Sequence, residues 1–323
     1  MDIFKKLYTK ADASLWQGRM DGDGREYQRW HQVISCVDLQ DESLQLDQAV
    51  VLLGFCCDEG VRRNQGREGA KSAPDYLRKV LANLPVHFSP AIALVDAGNI
   101  NANGYDLESA QEVLALAVQK IRNLGGYPLL IGGGHEITYG HFKGLYTVGK
   151  KIGVINIDAH LDMRPLADGK GNSGTSFYQL NKELFDEGER LKYLAVGIQQ
   201  ISNTKGLIDY AKSQGVKIIY SSEIVAENLS SIQTKIVEFA EHVDELYLTI
   251  DMDAFAASFS PGVSAMAYNG IIPDATFYNL LHFIYQQPKL ISLDIAEINP
   301  RFDLDERTAR FAAHFIFQYL QKF

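Results

Sequence analysis

Apolar and polar positions along the chain alternate between two rhythms. From about residue 48, short apolar runs are each followed by an amphipathic stretch, as in successive βα units. The runs QAVVLLGFC, AIALVDAGNI, YPLLIGGG, KIGVINIDAH, LKYLAVGIQ, VKIIYSSEI, ELYLTIDMDAF and KLISLDIAEINP predict eight strands. Their continuous apolarity buries both faces of each strand, which is the pattern of a parallel sheet. Between them, DLESAQEVLALAVQKIRNLGG lines up Leu107, Ala110, Leu114, Ala117, Val118, Ile121 and Leu124 on one helical stripe, with Gly125 as its stop. Ser72 reads as an N-cap for APDYLRKVL, with a proline just inside the helix, and ERTARFAAHFIFQYL reads as a final helix. Residues 1–45 are polar and aromatic without a strong period, and are expected to wrap on the rest as an extension. No repeat, low-complexity tract or linker divides the chain, so residues 1–323 are expected to form a single domain.

Composition narrows the function classes. With 46% hydrophobic and 22% charged residues the chain has material for a full core. A net charge of −9 gives no electrostatic support to a nucleic-acid-binding role. Cys36, Cys56 and Cys57 are too few and too clustered for a disulfide framework, and point to a reducing compartment. Adjacent Cys56 and Cys57 read as buried free thiols rather than a strained vicinal disulfide. The stretch MDIFKKLYTKADASLWQGRMDG has no apolar signal core, and no run approaches the roughly 18 apolar residues of a membrane span. A soluble cytoplasmic protein without membrane partners is expected.

Ligands of open parallel sheets lie beyond the carboxyl ends of the strands, so unusual strand ends locate the chemistry. Three stand out. YPLLIGGGHE uses glycines to let backbone approach closely before His135 and Glu136, VINIDAHLDMR spaces Asp158, His160 and Asp162 at alternate positions, and LTIDMDAF ends in Asp251 and Asp253. Alone, a strand-end His is commonly a hydrogen-bonded structural residue, and Asp-x-Asp is commonly a cap or turn. Together they put four carboxylates and two imidazoles at one sheet edge, where the acids would repel and protonate without a cation. Two divalent ions bridged by aspartates offset such a charge. An oxygen-rich set with few imidazoles and no thiolate favours Mn²⁺ over Zn²⁺ or copper.

GGGHE, DAHLD, DMDAF and, near the carboxyl end, AEINP resemble the ureohydrolase family, which includes arginase, agmatinase and formimidoylglutamase. The resemblance runs through nearly the whole chain from about Val50. It implies a three-layer α/β/α sandwich around an eight-stranded, mainly parallel sheet, and two Mn²⁺ per subunit. One ion would take His135, Asp158, Asp162 and Asp251, the other Asp158, His160, Asp251 and Asp253, with Asp158 and Asp251 bridging. The implied reaction is attack on an amidinium carbon by a water that both ions activate as hydroxide, with Glu297 of AEINP anchoring the amidinium. Family members often assemble as trimers or hexamers, so a homo-oligomer is the implied state.

Two departures bear on the substrate. Ser173 of NSGTSF stands where arginases and agmatinases carry a proton-relaying His, so water, Asp162 or Asp253 must protonate the leaving nitrogen, or Ser173 is a polar pocket wall. Arg164 follows the last ligand of DAHLD where arginases carry a smaller polar residue, and Arg is the side chain best shaped to grip a carboxylate. Arg62, Arg63 and Arg67 of CDEGVRRNQGREGAKSAP add a basic loop; singly each reads as solvated, but as a set beside an acidic site they suggest an anionic amidine substrate. CDEGVRRNQGR and the SGT segment resemble the formimidoylglutamase members, which hydrolyse N-formimidoyl-L-glutamate to L-glutamate and formamide in histidine breakdown. Arg164, Ser173, Arg63 and Arg67 are then the substrate-binding candidates, and Glu297 and Asp162 the catalytic ones. The alternatives are agmatinase or another guanidino-acid amidinohydrolase, and a non-catalytic metal-binding relative. Glu136 is expected to orient His135 or cap the next helix, His141 to be structural, and Asp96 and Asn99 to bond within a loop.

Overall fold

The computed structural model describes residues 3–102, 106–147 and 149–323. In chain order its strands are β1 (Tyr8–Thr9), β2 (Ser35–Cys36), β3 (Val50–Cys56), β4 (Leu94–Asn101), β5 (Tyr127–Ile131), β6 (Ile152–Ile157), β7 (Lys192–Ile198), β8 (Lys217–Tyr220), β9 (Glu245–Asp251) and β10 (Leu290–Ala296). All form one sheet in the order β1-β4-β3-β5-β10-β9-β6-β7-β8, with β2 also on β4. The eight strands expected from the sequence are β3 to β10, and every pairing among them is parallel. The sheet nevertheless has ten strands among the described residues, because the amino-terminal extension adds β1, antiparallel to β4, and β2. Two-residue strands carry too few positions to show a period, which is why the pattern concealed them.

Period-two alternation sorts each strand's side chains into two cores. Val50 and Leu52 of β3, with Leu248 and Ile250 of β9, pack on one face under helices Ala73–Leu81, Leu229–Glu241, Ala275–Tyr285 and Arg307–Leu320. Val51 and Leu53, with Tyr247, pack on the other under Leu107–Asn123, Ile137–Leu145 and Ser176–Asp186. The result is the α/β/α sandwich. In helix Leu107–Asn123 the stripe from Leu107 to Ile121 is buried, Asp106 caps the first turn through Ser109 N, and Gly125 takes the left-handed φ of +83° that ends it.

The structure corrects two local readings. Ser72 occupies the N-cap position of Ala73–Leu81, but its hydroxyl makes no capping bond because a preceding 3-10 turn, Ala70–Ser72, keeps it in helical conformation. Asp96 and Asn99 lie within β4 rather than in a loop, and Asp96 is fully buried. Arg78 grips Asp96 with Nε at 2.8 Å and Nη2 at 2.7 Å, and Trp16 of the extension donates its indole N–H to the same carboxylate at 2.8 Å. The Trp16 bond fastens the extension to the sheet through that ion pair.

Candidate metal centre

Strand order assembles the site. β5, β10, β9 and β6 are consecutive neighbours, and they carry GGGHE, AEINP, DMDAF and DAHLD at their carboxyl ends. The chain passes from β5 to β6 over two places that β9 and β10 later fill, so the motifs converge at a break in strand order, where open sheets hold ligands. Gly133 shows why glycine is needed here: a Cβ on it would lie 1.6 Å from the carbonyl oxygen of Cys57. Its carbonyl accepts the backbone N–H of Glu297 at 2.9 Å, joining two of the motifs. Two non-glycine residues at the site, Asp162 and Glu297, hold left-handed φ angles of 47° and 66°. Such conformations cost on the order of 1–3 kcal/mol each and persist where the surroundings enforce them, often at functional sites.

The six residues expected to bind metal are brought together. His135 Nδ1 faces three carboxylate oxygens, 2.7 Å from Asp162 Oδ2, 3.2 Å from Asp158 Oδ2 and 3.3 Å from Asp251 Oδ2. His160 Nδ1 lies 3.4 Å from Asp158 Oδ1 and 3.3 Å from Asp253 Oδ2. Two sets have donor atoms mutually within 4.8 Å, His135 with Asp158 and Asp251, and Asp158 with His160 and Asp253. Asp158 belongs to both, one oxygen toward each imidazole, which is the arrangement of a bridging carboxylate. Backbone N–H groups aim the acids: His160 N donates to Asp158 Oδ1 at 2.7 Å and Asp253 N to Asp251 Oδ1 at 2.7 Å.

The electrostatics are those of a set short of positive charge. Burial, then the charges of Asp253 and Asp158, pushes Asp251 well above the carboxylate range. Burial, then Glu136 and Asp253, does the same to Glu297. Burial also opposes the charging of His135, but the hydrogen bonds to Asp158 and Asp162, together with the charges of Asp251 and Asp162, outweigh it and raise the imidazole far above its usual value. Asp253 Oδ1 and Glu297 Oε2 are buried without a hydrogen-bond partner among the described residues. Clustered acids, bare oxygens and imidazole nitrogens aimed at them fit a pair of hard divalent cations.

A cavity of about 280 Å³ opens onto the cluster, lined by His135, His160, Asp162, Asp251, Asp253 and Glu297 together with Asn64, Gln65, Gly66, Arg67, Arg164, Ser173, Ser264 and Ala265. Arg164 is exposed at the rim, with Nη1 bonded to Asn64 Oδ1 at 3.0 Å, while Asn64 Nδ2 donates to Ser173 Oγ at 3.1 Å. Arg67 reaches the wall but spends Nε on the Ser264 carbonyl and Nη2 on that of Val263, with its guanidinium 4.2 Å over the Phe302 ring.

Arg63 corrects the sequence reading. Its guanidinium is held by Glu59 at 3.0 Å, Glu108 at 2.6 Å and the Gly171 carbonyl at 3.0 Å, and it does not line the cavity. Arg62 likewise pairs with Glu59. Two acids that the strand-end search passed over had already claimed the basic loop. Glu136 neither orients His135 nor caps the helix; it accepts Gly60 N at 2.8 Å, while Glu297 Oε1 accepts the N–H of His135 at 2.9 Å. His141 is buried and bonded inside the core, and the three cysteines are free. Sequence reasoning missed Asn64, which carries no charge, and Ser264 and Ala265, which lie in a segment without a motif. Among the described residues no helix is long and apolar enough to cross a membrane.

Comparison with known proteins agrees with the geometry. A model of the arginase family matches residues 48–321. A Clostridium tetani formimidoylglutamase is 38% identical, over 97% of this chain and 95% of the relative. A Geobacillus sp. formimidoylglutamase is 40% identical, over 98% and 97%. Among solved structures, Trypanosoma cruzi formiminoglutamase with Mn²⁺₂ is 28% identical with a TM-score of 0.75, over 85% of this chain and 93% of that one. Formimidoylglutamase from Bacillus subtilis shares the fold with a TM-score of 0.81 at 23% identity, over 94% of both chains. The chain belongs to the arginase family.

Proposed function

We propose that this protein is a dimanganese hydrolase that cleaves N-formimidoyl-L-glutamate to L-glutamate and formamide. His135, Asp158, Asp162 and Asp251 would hold one ion, and Asp158, His160, Asp251 and Asp253 the other. When bound, the pair supplies a water activated near neutral pH toward an electron-poor carbon. The relatives named formimidoylglutamase, at 38–40% identity over nearly full length, support this substrate over the alternatives.

The chain's own residues supply the rest. Glu297 Oε1 is fixed by the His135 N–H, leaving the unpartnered Oε2 to accept an amidinium N–H. At the rim, Arg164 has guanidinium donors beyond the one spent on Asn64, enough for a substrate carboxylate. Ser173 accepts from Asn64 and keeps its own proton to donate to the same carboxylate. Asp253 is among the cavity-lining residues and its Oδ1 has no partner, which suits it to carry a proton to the departing α-nitrogen of glutamate, whereas Asp162 Oδ2 is engaged by His135.

The observation that carries the reading is one cavity lined by both Glu297 and Arg164, matching a substrate that is cationic at its amidine and anionic at its carboxylates. The test is product analysis of the manganese-loaded protein offered N-formimidoyl-L-glutamate, agmatine and arginine. Release of formamide and glutamate, with kcat/KM far above that for the other two, is expected. Faster turnover of agmatine or arginine would overturn the assignment.

A further inference from the structure

His135 is held from behind by a buried network that reaches well beyond the cavity. Its Nε2 lies 2.9 Å from Thr249 Oγ1, and the Thr249 hydroxyl donates to Asp294 Oδ1 at 2.6 Å. Thr249 and Asp294 face each other across the β9–β10 pairing. The other oxygen of Asp294 accepts from His141 Nδ1 at 2.6 Å and from the Tyr247 hydroxyl. Thr249, Asp294 and His141 are fully buried.

Proton counting fixes the direction of this chain. Asp294 receives three donors and needs no proton of its own. Thr249 has a single hydroxyl proton and gives it to Asp294, so Oγ1 can only accept from His135 Nε2–H. A neutral imidazole protonated at Nε2 has its lone pair on Nδ1, the atom that faces Asp158, Asp162 and Asp251.

We propose that Asp294, which touches none of the site's ligands, is a positioning residue that sets metal affinity by fixing the tautomer of His135 through Thr249. The inference rests on the manganese reading of the site. Asp294→Asn tests it because the amide has nearly the same shape. Facing Thr249, its NH₂ would force that hydroxyl to donate to His135 Nε2 and move the imidazole proton to Nδ1, in the way of a cation. Facing the other side, it would confront two donors.

The experiment is calorimetric titration of Mn²⁺ onto the full chain and its Asp294→Asn, Thr249→Val and Thr249→Ser variants, with ¹⁵N NMR of the His135 ring as a second readout and thermal unfolding to confirm folding. Affinity should fall about 10- to 100-fold in Asp294→Asn and Thr249→Val, as for other lost partners of metal-bound histidines. Thr249→Ser should stay within about threefold of the parent, since it keeps the hydroxyl. With a diamagnetic divalent ion in place of Mn²⁺, the His135 ring should keep its proton on Nε2 in the parent and in Thr249→Ser, and lose that state in the other two; without an ion the acids around Nδ1 hold the ring protonated on both nitrogens. Unchanged Mn²⁺ affinity in folded Asp294→Asn and Thr249→Val, or a His135 proton on Nδ1 rather than Nε2 in the parent loaded with the diamagnetic ion, overturns the proposal while leaving the metal reading intact. Absence of Mn²⁺ binding by the parent would overturn both.

Discussion

Two regions of this molecule bury charge, and they handle it in opposite ways. Below the amino-terminal extension, Asp96 is met by a bidentate Arg78, the Trp16 indole and the N–H of Gly98, and Arg78 places its remaining donors on the Gly98 carbonyl and Asn99. Every charge there has its partner inside the protein. At the ends of β5, β6, β9 and β10, five carboxylates share two imidazoles, and Asp253 Oδ1 and Glu297 Oε2 face no donor at all. A charge set closed by its own residues is structural. One that burial leaves incomplete is built for something that arrives from outside.

That contrast yields graded expectations. Asp251→Ala removes an acid predicted to touch both ions and should lower kcat/KM by about 10⁴-fold, roughly 5 kcal/mol, with loss of manganese by elemental analysis. Arg78→Ala leaves Asp96 buried and unpaired and should cost about 3–5 kcal/mol in urea unfolding, yet change Mn²⁺ affinity little in the folded protein. Chelation should destabilise the parent by about 2.7 kcal/mol for each ion lost, relative to metal at a hundredfold over its Kd, and should have the same effect in Arg78→Ala, separating the two charge sets. Arg164→Ala should raise KM for N-formimidoyl-L-glutamate about 10- to 100-fold without changing metal content, the effect of losing a charge-assisted hydrogen bond. Arg63→Ala should shift KM by less than about fivefold, because its partners are the protein's own acids and partly exposed pairs contribute little.

The incomplete set was legible in the sequence and the complete one was not. Asp158, His160, Asp162, Asp251 and Asp253 sit within a few residues of strand ends, so apolar runs located them and a parallel sheet brought them together. The Arg78–Asp96 pair joins a helix to a strand interior, and nothing local to either residue signals the other. Arg63 failed for the same reason: its partner Glu108 is 45 positions away, and a cation read without its acid looks available. Glu297 was found through its motif, but its left-handed φ and its bond to the His135 N–H are products of tertiary packing between β5 and β10. The order β5-β10-β9-β6 could not be read from periodicity either, since period two reports burial and not neighbours.

The most direct test of the central claim is an anomalous-scattering map from crystals grown with Mn²⁺. Two peaks are predicted, one among His135, Asp158 and Asp251 and the other among Asp158, His160 and Asp253. An active protein whose map shows no manganese at these strand ends would contradict the account.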